Sequence, residues 1–256
     1  MPDSLLDVEG LRVTYGGVVA VESSTFTVSE GQIVGLIGPN GAGKTSMIDA
    51  LTGYHSPSAG IVRFRGEDVT KVKADQRSRR GLVRTFQSVE LFDDLTVEEN
   101  LLVAAEHVGF WQPFRDIFLP HRRRGADAVA WAASTLDIGD LADRMPTDLS
   151  HGQRKLVSVG RALAQRPQLV LLDEPAAGLD SDESLAFGAR LLSLPRAGVS
   201  VLLVDHDMGL VLSVCDHVVV LDFGKIIAQG TPDEIRANPT VIEAYLGSSS
   251  SEELHG

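Results

Sequence analysis

The first part of the chain alternates between hydrophobic and polar residues in the manner of β-strands. Residues 11–15 alternate, a glycine pair marks a turn, and the alternation resumes over residues 18–28, which predicts a hairpin. Residues 32–37 form a short, continuous apolar run, which is typical of a buried strand. A glycine-rich segment follows directly, and residues 44–52 then show helical spacing that ends at a glycine.

Strands and helices alternate along the rest of the chain. A capping box at residues 96–99 opens a helical region that extends to about residue 166 and is interrupted by an irregular segment at 109–124. Further strands are predicted at residues 60–64, 81–86, 169–172, 199–204, 218–221 and 225–228, and further helices at 182–194 and 208–214. This alternation predicts an α/β fold with a mainly parallel sheet.

Composition and charge narrow the class of protein. The chain has 256 residues, of which 43% are hydrophobic and 23% charged, so it can bury a sizeable core as one large domain or one domain with a subdomain. No apolar run approaches the roughly 20 residues that cross a bilayer, and no secretory signal is expected at residues 1–4. The single cysteine, Cys215, fits a reducing cytoplasm. The net charge of −12 argues against a general nucleic-acid binder and against attraction to acidic lipid, so work at a membrane requires docking on another protein.

The strongest motif fits the pattern G-x-x-x-x-G-K-[ST] between a predicted strand and a predicted helix. In such a loop, backbone N–H groups and the helix N-terminus bind phosphate, the lysine contacts the β- and γ-phosphates, and the hydroxyl binds Mg²⁺. The alternative without function is a glycine-rich turn with an incidental lysine. The position between a predicted strand and a predicted helix disfavours that alternative. The expected phosphate-binding residues are Gly38, Pro39, Asn40, Gly41, Ala42, Gly43, Lys44 and Thr45.

Two adjacent carboxylates, Asp173 and Glu174, follow the apolar run at 169–172. Ligands of open α/β sheets bind at the carboxyl ends of strands. Asp173 is therefore a candidate to hold Mg²⁺, and Glu174 is a candidate general base for an attacking water. The alternative is an acidic turn that starts a helix, and the nearby phosphate loop makes that alternative weaker.

Three further features, which involve four residues, are weaker signals when each is taken alone. Ser150 and Gln153 form a capping box, and the same helix N-terminus is a possible anion site; the sequence does not separate these two interpretations. His206 follows the strand at 199–204, where a histidine is more often structural than functional. Gln87 follows the strand at 81–86 and means little by itself.

Taken in order, these motifs resemble the ATP-binding subunit of an ABC transporter over about residues 5–247. The resemblance implies an ABC-type P-loop ATPase with a RecA-like, mainly parallel sheet core, an N-terminal antiparallel β-subdomain and an inserted α-helical subdomain. One domain is expected over residues 1–247, with the β-subdomain and core at about 1–87 and 167–247, the helical subdomain at about 88–166, and a disordered tail at 248–256.

The resemblance also implies residue roles. Ser46 would join residues 38–45 in binding the phosphates, and Tyr15 would stack on adenine. Gln87 would sense Mg²⁺ and the attacking water, and Asp173 and Glu174 would take the metal and general-base roles. His206 would contact the γ-phosphate as the switch histidine. The remaining roles concern the facing subunit: Ser150, Gly152 and Gln153 resemble the signature motif, which contacts the γ-phosphate held by the partner, and Asp180 resembles the D-loop aspartate. The family usually has glycine where this chain has His151.

Several segments resemble the LivG-type subunit of branched-chain amino-acid importers in particular, including residues 81–87, 96–104, 173–179 and 244–247. That resemblance implies ATP and Mg²⁺ as ligands and a peripheral position on the cytoplasmic face of the membrane. The implied partners are a second, different (LivF-like) ATPase subunit, two transmembrane permeases and, indirectly, a solute-binding protein outside the membrane. Related subunits serve urea or amide uptake or lipopolysaccharide export, so these solutes stay open.

Two other functions compete with transport. A soluble ABC ATPase acting in translation or DNA repair finds its only support in the six basic residues between positions 71 and 84, which are more simply a solvated face. A small-molecule P-loop kinase leaves Ser150, Gln153 and His206 unexplained. The aromatic segment at residues 110–124 is more simply a satellite core, although it also suits docking against a permease.

Overall fold

The structure is a computed structural model that describes residues 4–85, 91–105 and 122–252, with no side-chain description at 122–124 and 246–252. Its strands are β1 Ser4–Tyr15, β2 Val18–Ser29, β3 Ile33–Ile37, β4 Ala59–Phe64, β5 Glu67–Asp68, β6 Leu82–Arg84, β7 Leu169–Asp173, β8 Ser200–Val204, β9 His217–Asp222 and β10 Lys225–Gly230. Its helices are α1 Lys44–Thr52, α2 Ala74–Arg79, α3 Val97–Ala105, α4 Arg122–Leu136, α5 His151–Leu163, α6 Ser181–Leu191, α7 Ser193–Arg196, α8 Met208–Val214, α9 Pro232–Arg236 and α10 Pro239–Glu252.

The strands form two sheets. The first has the order β2-β1-β4-β5, and its pairs are antiparallel. Buried and exposed positions alternate along β1 and β2, as in a sheet with one face on the core. The predicted hairpin at residues 11–28 is therefore confirmed, with β2 as an edge strand and β1 as an inner strand of this sheet.

The second sheet has the order β10-β9-β3-β8-β7-β6. Strands β6, β7, β8, β3 and β9 run parallel, and β10 joins β9 as an antiparallel edge. The strands β3, β7 and β8 are fully buried, which explains their continuous apolar runs. Because these three strands are parallel neighbours, the segments that follow them meet at one edge of the sheet. The α/β class predicted from the sequence is confirmed.

The helices cover both faces of this sheet. One face packs with α3, α4, α5, α6 and α8 in a large apolar cluster, and the other packs with α1 and the antiparallel sheet in a second cluster. The capping box predicted at residues 96–99 is present: Thr96 N–H donates to Glu99 Oε2 at 2.8 Å and Glu99 N–H donates to Thr96 Oγ1 at 3.2 Å. No helix within the described residues is long and apolar enough to cross a membrane.

Two features of the secondary structure differ from the sequence prediction. The helix expected at 182–194 is divided into α6 and α7, and Pro195 inside α7 lacks the N–H that a continuous helix needs. The short helix α2 was not predicted. Helix α10 is assigned through Glu252, and the last four residues of the chain lie outside the described residues.

Candidate functional site

The phosphate-loop motif lies between β3 and α1, as the sequence predicts, and the neighbouring backbone requires glycine at two of its positions. A Cβ on Gly38 would lie 2.0 Å from the carbonyl oxygen of Leu221. Gly43 has φ +103°, and a Cβ there would lie 2.3 Å from the carbonyl oxygen of Ala20. Side chains at these two positions would therefore push the loop away from β9 and β2. The loop is held close to the sheet with its N–H groups at the start of α1, which suits phosphate binding.

Lys44 is buried and its charge faces acidic groups. Its side chain is only 7% exposed, and Nζ donates to the carbonyl oxygens of Gly38 at 2.6 Å and Pro39 at 3.0 Å. Burial lowers the pKa of Lys44, while the carboxylates of Glu174, Asp173 and Asp205 act in the opposite direction. The ammonium group thus lies within the loop, at the edge of the sheet where the acidic residues converge.

Asp173, the last residue of β7, is paired with Arg84 at the end of β6. Arg84 Nη2 donates to Asp173 Oδ2 at 2.8 Å, and Nη1 donates to Asp49 Oδ1 on α1 at 2.5 Å. Burial disfavours the charge of Arg84, but its bonds to the two carboxylates outweigh burial and raise its pKa. Arg84 therefore ties β6, β7 and the phosphate-loop helix together.

Glu174 follows Asp173 in a strained backbone conformation. Its φ is +46°, in the left-handed region that non-glycine residues rarely adopt. Its N–H donates to the carbonyl oxygen of Val204 at 2.7 Å, so the turn is fixed to β8. Strain that the surrounding structure maintains is a common feature of functional sites.

His206 lies at the end of β8, one residue beyond the buried Asp205. The His206 side chain is 58% exposed, and its Nδ1 lies 3.5 Å from Asp205 Oδ1. Since β8 is adjacent to both β3 and β7, the structure places His206 at the same edge of the sheet as Lys44, Asp173 and Glu174.

The capping box predicted at the start of α5 is confirmed. Ser150 N–H donates to Gln153 Oε1 at 3.0 Å, and Gln153 N–H donates to Ser150 Oγ at 3.3 Å. Next to this box, His151 Nε2 lies 3.4 Å from the carbonyl oxygen of Ala177. A Cβ on Gly178 would lie 3.2 Å from the same nitrogen. The histidine that departs from the family pattern therefore contacts the turn that follows Glu174.

Two further predicted residues have clear structural settings. Asp180 caps α6, because its Oδ1 accepts from Glu183 N–H at 2.8 Å and its own N–H donates to Glu183 Oε2 at 3.3 Å. Tyr15 is 44% exposed at the tip of the β1–β2 hairpin, and its ring centroid lies 4.4 Å from that of His55. An exposed aromatic ring in this place is compatible with stacking on a base.

Other sequence predictions lie outside the described residues. Gln87 is one of them, and so are the aromatic residues Phe110, Trp111 and Phe114. The basic stretch at residues 71–84 was expected to be a solvated face, and this holds for only some of its residues. Arg77 is 1% exposed and donates to four backbone carbonyls, and Arg84 is part of the site.

Sequence reasoning missed four residues of this region: Asp49, Arg84 in its paired role, Lys155 and Asp205. The signal for Asp205 was present, since a carboxylate precedes His206 directly after an apolar strand. Asp49 and Lys155 sit on helices among ordinary polar positions, and only the fold brings them toward the sheet edge.

Comparison with known proteins gives the family. The "ABC transporter" family matches residues 21–177, and the family described as "Branched-chain amino acid ATP-binding cassette transporter" matches residues 225–250. The chain is 41% identical to the high-affinity branched-chain amino acid transport ATP-binding protein BraF of Pseudomonas aeruginosa, over 96% of this chain and 99% of that protein. It is 38% identical to the corresponding LivG protein of Escherichia coli, with the same coverage.

Solved structures agree with this family. A nucleotide-free ATP-binding cassette from an ABC transporter superposes with a TM-score of 0.83 at 30% identity and covers 95% of this chain and 99% of its own. The ADP conformation of an ABC transporter cassette gives the same TM-score and identity over 96% of this chain and 99% of its own. With the phosphate loop, the paired carboxylates and the capped α5 in place, this chain belongs to the ATP-binding, ATP-hydrolysing proteins of the ABC transporter family.

Proposed function

We propose that this chain is the ATP-hydrolysing subunit of an importer for branched-chain amino acids. The observation that carries the proposal is the meeting of Lys44, Asp173, Glu174 and His206 at the carboxyl edge of one sheet. The solute is inferred from the relatives named for branched-chain amino acid transport, which match almost the whole chain at 38–41% identity.

The phosphate loop and the β1–β2 hairpin provide groups that would bind ATP. Backbone N–H groups of residues 38–46 would bind the phosphates, and the Lys44 ammonium would exchange its two carbonyl partners for phosphate oxygens. The exposed ring of Tyr15 would stack on adenine.

Magnesium fits the donors that the site offers. Among the described residues no group of three or more His, Cys, Asp or Glu side chains is arranged to hold a metal. Mg²⁺ usually takes only one or two protein ligands beside phosphates and waters. Thr45 and Asp173 would supply these ligands, and Gln87 is expected to join them. When bound, Mg²⁺ neutralises charge on the phosphates.

Hydrolysis then depends on positioning and on one proton acceptor. Glu174 would polarise the attacking water as general base. Its backbone has a positive φ, and the bond from its N–H to Val204 holds this turn in place. His206, exposed at the neighbouring strand end, would contact the γ-phosphate. The protein forms no covalent intermediate in this scheme.

We further propose that the site is completed by a second ATPase subunit. The N-terminus of α5, with Ser150, Gly152 and Gln153, would contact the γ-phosphate bound by that subunit, and Asp180 would lie at the same interface. A helix N-terminus favours an anion, so closure of the two subunits would depend on the γ-phosphate. The partners would be a second, different ATPase subunit, two permeases at the cytoplasmic face of the membrane and an extracytoplasmic solute-binding protein.

The chemical part of the proposal is tested with Glu174→Gln. The purified variant should bind ATP with a Kd within twofold of wild type, while turnover falls about 100-fold, because a general base contributes on that order. Glu98→Gln, an exposed carboxylate in the first turn of α3, is the matched control and should turn over ATP at the wild-type rate. Wild-type turnover in Glu174→Gln would contradict the general-base role.

The transport part is tested by affinity purification of the tagged protein from detergent-solubilised membranes of its native host. Recovery of two permeases and a second ATPase subunit is expected. Recovery of soluble partners alone would contradict the importer and favour a soluble ABC ATPase.

A further inference from the structure

We propose that Asp205 is a positioning residue that fixes the turns carrying Glu174 and His206 relative to each other, with Lys155 as its counter-charge on α5. The inference rests on the proposed roles of Glu174 and His206. Asp205 itself would touch neither nucleotide nor water. It would act through the backbone of the two turns and through the electrostatic environment of Glu174.

The carboxylate of Asp205 is bonded to both turns. Its side chain is 1% exposed, and Oδ1 accepts from the backbone N–H of His206 at 2.8 Å and of Asp207 at 3.0 Å. Its other oxygen, Oδ2, accepts from Ala176 N–H at 3.4 Å, two residues beyond Glu174. One buried carboxylate therefore joins the segment after β7 to the segment after β8.

The next residue extends this connection. Asp207 Oδ1 accepts from Leu210 N–H at 3.2 Å, which caps α8, and Ser184 Oγ on α6 donates to Asp207 Oδ2 at 3.0 Å. The turn that carries His206 is thereby held by Asp205 on one side and by α6 on the other. A displacement of Asp205 would shift His206 and the segment after Glu174 together.

Lys155 supplies positive charge from the helix that begins with the capping box. It is 5% exposed, although lysine is almost never buried without an opposing charge. Burial lowers its pKa, and the carboxylates of Asp205 and Glu174 oppose that effect. Lys44 faces the same two carboxylates from the phosphate loop. The positive charges of Lys155 and Lys44 therefore both act on Glu174 and Asp205 from different elements.

The chemistry of an aspartate is needed at position 205. An asparagine has the same shape but only one acceptor oxygen, so its amide group would face either Ala176 N–H or the N–H groups of His206 and Asp207. One of the two turns would lose its partner, and Lys155 would lose a counter-charge. The apolar residues of β3, β7 and β8 are unchanged in this variant, while the lost buried bond lowers its stability.

The test compares Asp205→Asn with Asp216→Asn in the purified protein. Asp216 Oδ2 accepts from Ile33 N–H at 2.8 Å, so it makes the same kind of bond away from both turns. Turnover of ATP, the Kd for ATP and the urea midpoint are measured for each variant. We expect Asp205→Asn to lower kcat about 10-fold with a Kd within twofold of wild type, and Asp216→Asn to change only the urea midpoint. Equal kcat values in the two variants would overturn the proposal.

Lys155 gives an independent test if Asp205→Asn does not fold. Lys155→Met should lower kcat several-fold and Lys155→Arg should restore it, because the charge and not the packing is needed. Combined with Asp205→Asn, Lys155→Met should lower kcat by less than the product of the two single effects. Wild-type kcat in Lys155→Met contradicts the counter-charge role.

The same assay separates this inference from the proposed function. If Glu174→Gln retains turnover, the general-base assignment is wrong whatever Asp205 does. If Glu174→Gln is inactive while Asp205→Asn and Lys155→Met keep wild-type kcat, the proposed function stands and only the positioning role is wrong.

Discussion

Arg84 bonds to Asp173 at 2.8 Å and to Asp49 at 2.5 Å, and so one guanidinium joins the end of β7 to the helix of the phosphate loop. The side chains of Arg84 and Asp173 are 8% and 9% exposed. A buried ion pair of this kind is costly to break on one side, since the remaining charge is left without its partner. Arg84 therefore fixes the direction in which Asp173 presents its carboxylate.

Arg84→Met should weaken both stability and the response to magnesium. We expect the free energy of unfolding to fall by about 3 kcal/mol, and the Mg²⁺ concentration that gives half-maximal ATP turnover to rise several-fold as Asp173 loses its orientation. Urea unfolding and a magnesium titration of turnover measure the two effects. Arg80→Met removes an exposed pair with Glu67 and should leave both values unchanged. An unchanged magnesium response in Arg84→Met would contradict the orienting role.

The contacts of Arg84 also show which features of the site could be predicted from the sequence and which could not. The phosphate loop, Asp173, Glu174 and His206 follow apolar strands, so local pattern placed them at strand ends, and the parallel topology brought those ends together. Arg84 and Asp49 are 35 residues apart and belong to different elements. No local pattern indicates such a contact, which depends on α1 packing against β6 in the fold.

The same limit applies to the basic stretch between residues 71 and 84. Its charge pattern favoured a solvated face, and Lys71, Lys73, Arg79 and Arg80 are exposed. Arg77 is instead buried, because the carbonyl oxygens of four surrounding residues need donors. Those residues are Ala50, Leu51, Thr70 and Val72.

Arg77→Met should therefore be a strongly destabilising variant. Loss of the guanidinium leaves buried carbonyl groups without donors, and we expect the free energy of unfolding to fall by about 3 kcal/mol. Arg79→Met, two residues away and exposed, should change it by about 0.5 kcal/mol or less. Equal urea midpoints for the two variants would show that the Arg77 bonds contribute nothing.

Tyr245 makes the stability of the fold sensitive to high pH. Burial raises the pKa of its phenol to about 12, although contact with the Gly38 backbone acts in the opposite direction. The raised pKa means that the neutral phenol stabilises the folded state below about pH 10, and this contribution is lost as the pH rises toward 12. Between pH 9 and pH 11 the wild-type protein should lose about 1 kcal/mol more than Tyr245→Phe.

Urea unfolding at the two pH values measures that difference. Tyr15→Phe, which removes a hydroxyl from an exposed ring, should follow the wild-type curve. A wild-type and a Tyr245→Phe protein that lose the same stability on going to pH 11 would contradict burial of the phenol.

Cys215 should be inert in the folded protein. It is 8% exposed, and burial raises the pKa of its thiol, with a further contribution from Asp216. The reactive thiolate is therefore scarce at neutral pH. Iodoacetamide should modify the native protein at least about 100-fold more slowly than the urea-unfolded chain, as followed by mass spectrometry. Rapid modification of the native protein would contradict this burial.

Uptake of radiolabelled leucine tests the central claim most directly. In a native-host strain that lacks this chain, the wild-type protein should restore leucine uptake, and Glu174→Gln should fail to restore it while accumulating at the same level in the cell. Glu98→Gln should restore uptake as the wild type does. Uptake that is unaffected by loss of the chain, or fully restored by Glu174→Gln, would contradict an importer driven by ATP hydrolysis at this site.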